Sequence, residues 1–112
     1  MSYIPKYILK RMLPASGVNL KGDKIEITYA NLINPLNIEG IHPVQMEILI
    51  NGTEVDPDEV EMSTPPGDTL NAGGEIKFLF PNTFGVNKGD TMKISFHWFG
   101  QNIKLEQDRV LN

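Results

Sequence analysis

The chain has 112 residues, of which 40% are apolar and 21% charged, with no cysteine and a formal net charge of −4. That is the size and composition of one globular domain with its own core, and the missing cysteine excludes disulfides, thiolate metal sites and a cysteine nucleophile. No apolar run is long enough for a transmembrane helix, the acidic body disfavours nucleic acid as a partner, and no phosphate-binding glycine loop is present, since Gly73-Gly74 runs into Glu75.

Tyr3 to Leu13 has two readings. As a helix opened by Pro5 and ended by Pro14, it gathers Ile8, Leu9, Met12 and Leu13 on one face. As a strand, both of its faces mix lysine with apolar residues. We read it as extended, an N-terminal arm over residues 1–14 preceding a single domain over residues 15–112. Its apolar stretch Tyr7-Ile8-Leu9 is interrupted by Lys10 and Arg11, so it lacks the unbroken apolar region of a secretory signal, and a cytoplasmic location is expected. Residues 1–22 carry Lys6, Lys10, Arg11 and Lys21 and no acid, which leaves six cations against fourteen acids, a charge of −8, on the rest. A basic arm on an acidic body can clamp onto that body or onto a second copy of it; the alternative is a solvated terminal segment with incidental lysines.

After the turn Gly22-Asp23, Lys24 to Leu32 reads as a strand with Ile25, Ile27 and Tyr29 inward. Asn31 to Ile38 is a loop or broken strand, because Pro35 cannot donate to a ladder. In Val44 to Ile50 the inward set is Val44, Met46, Ile48 and Ile50, with Leu49 outward. Asn51-Gly52 then turns the chain into Thr53-Glu54-Val55. Asn51-Gly52-Thr53 also spells a glycosylation sequon, but the dipeptide is a strong hairpin signal and we read it so. Asp58 to Met62 continues as strand or forms one helical turn, and Ser63 to Gly74 is a long loop.

The strongest patterns come next. Glu75 to Phe80 and Thr91 to Trp98 alternate, placing Ile76, Phe78 and Phe80 on one face and Met92, Ile94, Phe96 and Trp98 on another. In this register Trp98 is a core residue. Gly100-Gln101-Asn102 turns into a last strand, Ile103 to Val110. Six to eight short strands without a long helix predict an all-β fold, a two-sheet antiparallel sandwich. The stretch Gly85-Val86-Asn87-Lys88-Gly89-Asp90 ahead of a strand loosely resembles a turn of immunoglobulin-like and fibronectin-like sandwiches. The resemblance implies that architecture, without the Cys-Trp-Cys framework of antibody domains.

Few residues suggest chemistry. The acidic run from Glu54 to Glu61 offers Glu54, Asp56, Asp58 and Glu59 as oxygen ligands for calcium, although the EF-hand pattern fails at Val60. A calcium-binding domain or small metal-dependent enzyme is the alternative reading; otherwise the run is a solvated turn and no cofactor is expected. His42 precedes Pro43 in a loop. His97 lies on an outward face near Lys93 and Ser95, but a hydrolase would also need an orienting acid and an oxyanion hole, no G-x-S-x-G elbow presents the serine, and no catalytic residue is assigned. Leu49, Leu79 and Phe99 break the alternation and are expected to project from outer faces, where clustered apolar groups mark a contact surface. Together with Tyr3, Ile4, Tyr7 and Ile8 of the arm they are the interface candidates. The expected function is a non-catalytic binding or assembly module whose partner is a protein, a second copy in a homodimer included.

Overall fold

In the computed structural model, which describes residues 4–112, the elements run α1 (Lys6–Met12), β1 (Val18–Lys21), β2 (Lys24–Ala30), β3 (Leu36–Asn37), β4 (Met46–Ile50), β5 (Thr53–Glu54), β6 (Glu61–Ser63), β7 (Thr69–Leu70), β8 (Glu75–Pro81), β9 (Thr91–Trp98) and β10 (Ile103–Val110). The chain is mostly β. Its strands form two four-stranded antiparallel sheets, ordered β1-β2-β8-β6 and β10-β9-β4-β5, and a two-stranded β3-β7 pair. No helix among the described residues is long and apolar enough to cross a membrane.

Alternation explains the sheets. Ile25, Ile27 and Tyr29 of β2 stand opposite Phe80, Phe78 and Ile76 of β8, so the apolar sets of both strands share a face. In the other sheet Phe96 lies between Ile48 of β4 and Leu105 of β10. All seven inward residues of β8 and β9 are at most 2% exposed. Aromatic rings join the two sheets: Tyr29 stacks on Phe96 at 5.4 Å and meets Trp98 edge-on at 5.9 Å, while Phe78 lies 5.6 Å from Phe96. Such pairs add about 0.5–1.5 kcal/mol each beyond burial. Asn51 and Gly52 both have positive φ (51° and 84°), as the hairpin reading requires. The Asn51 side chain also lengthens the sheet, since Oδ1 accepts the Lys93 N–H at 2.8 Å while the Asn51 N–H donates to the Lys93 carbonyl at 2.9 Å.

Three expectations are corrected. Val44 does not continue the inward set of β4. Pro43 opens a 3-10 turn over Pro43–Gln45, His42 Nδ1 accepts the Val44 N–H at 3.1 Å, and the turn leaves Val44 59% exposed. The second correction concerns the N-terminal segment, which is helical over Lys6–Met12 rather than extended. Its helix is too short to persist on propensity alone, so packing decides. Met12 and Leu13 are fully buried, Ile4, Ile8 and Leu9 pack against the same core, and the helix rests on β2 and β10. Arg109 secures its end, with Nε donating to the Leu13 carbonyl at 2.8 Å and Nη2 to the Lys10 carbonyl at 2.6 Å. Third, a clamp of the arm's cations onto the chain's own acidic body is not formed: the ion pairs among the described residues are Lys24–Glu61 and Lys93–Glu106, and neither involves an N-terminal cation.

Segments that the sequence left unassigned, undecided or as loop complete the layout. Val18–Lys21 forms β1, and its free edge is bridged by the last residue, with the Asn112 N–H donating to the Val18 carbonyl (3.1 Å) and the Leu20 N–H to the Asn112 carbonyl (2.7 Å). The long loop from Ser63 to Gly74 contains β7, which pairs with β3 in the Pro35 region. Asp58 to Met62 divides into a 3-10 turn, Pro57–Glu59, and β6.

Candidate functional site

At the end of β9 the chain leaves a strand whose alternate residues are buried. A 3-10 turn over Phe99–Gln101 does this, closed by Asn102 in the left-handed region at φ 53°; Asn tolerates that conformation better than most side chains. Phe99, out of phase with the inward set of β9, opens this turn 51% exposed, its ring 4.4 Å from that of His97. Facing it is the connection from β2 to β4. Gln101 Nε2 donates to the Asn37 carbonyl at 3.4 Å and ties the two connections together. Between them lies a groove of about 360 Å³ with Ile38, Ile41 and Trp98 in its lining and Glu39, Gln45 and Gln101 among its polar groups.

Asn31 holds the base of that connection. It is fully buried; Nδ2 donates to the Leu70 carbonyl at 2.9 Å and Oδ1 accepts the Ile33 N–H at 3.3 Å. Its backbone N–H donates to the Gly74 carbonyl, and its carbonyl accepts from Gly73. One amide thus joins the β2–β4 and β7–β8 connections, a role the sequence reading missed. The available signal was an Asn directly after a strand and ahead of Asn-Pro turn chemistry.

A second concavity, of about 190 Å³, lies on the outer face of the β10-β9-β4-β5 sheet. Register places Glu47, His97 and Lys104 in one row and Leu49, Ser95 and Glu106 in the next. Ser95 Oγ donates to Glu106 Oε2 at 3.2 Å, and Lys93 Nζ is 3.9 Å from Glu106. The serine hydroxyl is therefore directed to the Glu106 carboxylate rather than to His97. Among the described residues burial acts strongly on one titratable group: it pushes the Tyr29 hydroxyl well above its ordinary range, inside the core.

The interface candidates do not form one patch. Leu49 lines the outer concavity and Phe99 adjoins it through His97. Leu79 belongs to the other sheet, between Glu26 and Glu61. Ile4 and Ile8 pack against the chain's own core, Tyr7 is 65% exposed on α1, and Tyr3 lies outside the described residues. The acidic run is drawn out along β5 and a 3-10 turn, where Asp56 Oδ1 accepts the Asp58 N–H at 2.9 Å as a cap. Glu54, Asp58 and Glu59 are exposed, and among the described residues no group of three or more His, Cys, Asp or Glu is arranged to hold a metal ion. In comparisons with known proteins the chain matches no family model, no curated protein and no solved structure.

Proposed function

We propose that the chain is an immunoglobulin-like β-sandwich acting as a non-catalytic binding module for a protein partner, with the connections around Phe99 as its contact surface. The architecture is supported by strand order. The arrangement β1-β2-β8-β6 opposite β10-β9-β4-β5 follows the A-B-E-D and G-F-C sheets of immunoglobulin domains, with β5 added beside C. The inter-sheet aromatic contacts support face-to-face packing.

The observation that carries the functional reading is Phe99, half-exposed on a tied-down turn above a groove with an apolar floor and polar rim. In variable domains the B–C and F–G connections share the binding end, and the β2–β4 and β9–β10 connections are their counterparts here. Burying such a ring contributes about 1.5–3 kcal/mol, enough to anchor a contact.

A photo-reactive phenylalanine analogue at position 99 tests this. It is expected to cross-link a discrete protein in cells that express the chain naturally, while the same analogue at Lys77, exposed on the other sheet, does not. Equal labelling from both positions, or none from position 99, would overturn the reading.

A further inference from the structure

We infer that the free edge of β10, beside α1, accepts an extended acidic segment of a partner protein as an added strand. This site is separate from the Phe99 groove and does not depend on it. Unpaired strand edges recruit strands, and the other edges here are blunted: β6 has three residues, β5 has two, and β1 is bridged by Asn112. β10 has eight residues and, among the described residues, pairs only with β9.

Which groups are free follows from register. Lys93 bonds Asn51 on the β4 side, so its neighbour Ile94 turns toward β10, and its partner Gln107 is a bonded position. Leu111, bonded to Asp90 at 2.9 Å, has the same parity. Bonded positions alternate in an antiparallel pair, so the even residues, Lys104 and Glu106 foremost, direct their N–H and C=O away from β9. Farther along, the Asp108 carbonyl is already taken by Arg109 Nη1 at 2.8 Å, and α1 closes in where Arg109 binds Lys10 and Leu13.

The helix and this edge form the two walls of a slot of about 300 Å³, lined by Lys6, Leu9 and Lys10 on one side and Glu106 and Gln107 on the other. Strand addition between an edge and a helix gives affinity through the main chain and selectivity through the wall. The wall is positive. Lys6 and Lys10 are exposed and make no ion pair among the described residues, whereas Glu106 is already engaged by Lys93 and Ser95 on the outer face. Carboxylates on the incoming strand fit that wall, and Leu9 offers an apolar contact between them.

The test uses the ¹⁵N-labelled 112-residue chain and the capped peptide acetyl-Thr-Glu-Val-Glu-Val-Thr-amide. Binding is expected to slow hydrogen exchange at the Lys104 and Glu106 amides by roughly tenfold or more. Replacing both peptide glutamates by lysine, or N-methylating the peptide, is expected to abolish the effect. Lys6→Gln with Lys10→Gln should weaken binding roughly five- to tenfold and lessen its salt dependence. Glu106→Pro removes an outward N–H, which an edge strand tolerates, together with the side chain's contacts to Ser95 and Lys93, and should also weaken binding, whereas Glu106→Gln, which keeps the N–H, should not; the two lysine variants cover the case in which the proline variant does not fold. Phe99→Asp should leave the affinity unchanged. Equal binding of the acidic and basic peptides, no protection at millimolar peptide, protection confined to the Phe99 connections, or dimerisation of the free chain through β10 would each overturn the proposal.

Discussion

Tyr29 places its ring between Phe96 and Trp98 and leaves its hydroxyl as the buried side-chain polar atom without a partner among the described residues. An unpaired buried hydroxyl costs about 1–3 kcal/mol, so Tyr29→Phe, which keeps the ring, is expected to leave stability unchanged or raise it by about that amount in urea unfolding. The same residue sets a pH dependence. Its folded pKa is raised by burial, while the unfolded chain ionises near the ordinary tyrosine value of about 10. The stabilising contribution of the neutral phenol is therefore complete below about pH 10 and falls as pH rises beyond it, because only the unfolded state then releases the proton. Unfolding free energies of the wild type and Tyr29→Phe should differ by a constant between pH 6 and 9 and diverge in favour of the variant by pH 11. Asn31 is the opposite case, a buried amide with its bonds made. Asn31→Leu strands the Leu70 carbonyl and the Ile33 N–H and is expected to cost about 2–4 kcal/mol, with faster amide exchange in the residue 31–38 and 70–74 connections.

Among the elements, legibility followed how many signals agreed. In β8 and β9 the alternation, the aromatic content and the flanking turn residues all pointed to buried strands, and their inward residues were readable one by one. Val44 shows where alternation misleads: it has the right parity for β4, but Pro43 and the His42 cap divert the chain for three residues. The N-terminal segment was undecided on periodicity because its structure is set by residues far away. Arg109, 96 positions beyond Leu13, supplies the bonds that end the helix. No local pattern contains that information. The same holds for β1, whose partner at its outer edge is the last residue, and for the slot beside β10, whose two walls are distant in sequence. Phe99 was legible as an out-of-phase residue, while its groove was not. Arg109→Ala should unseat α1, costing about 1–2 kcal/mol given the partial exposure of the two carbonyls, and should speed exchange of the Leu9 to Leu13 amides before that of β8.

For the molecule as a whole, the decisive question is what holds the N-terminal segment to a body of opposite charge. Charge alone suggests a clamp that salt would loosen. The contacts indicate otherwise: Met12 and Leu13 are fully buried with the β2, β8 and β9 residues, and the polar bonds run from a guanidinium to carbonyls, not from lysines to carboxylates. Phe96→Ala, which removes the ring shared by both sheets, is expected to cost about 3–5 kcal/mol and to lower the melting temperature of the whole domain as one transition. Leu13→Ala tests whether the N-terminal segment belongs to that same cooperative unit. If it does, the loss is about 2–5 kcal/mol, of the size seen for buried leucines, and the transition stays single. Salt separates the apolar account from the ionic one. Burial does not weaken between 50 and 500 mM sodium chloride, whereas exposed charge pairs are largely screened over that range. The Leu13→Ala loss should therefore be the same at both concentrations, and Lys10→Ala should cost less than about 0.5 kcal/mol at either. A Leu13→Ala effect that vanished in high salt, or a large low-salt cost for Lys10→Ala, would restore the ionic clamp.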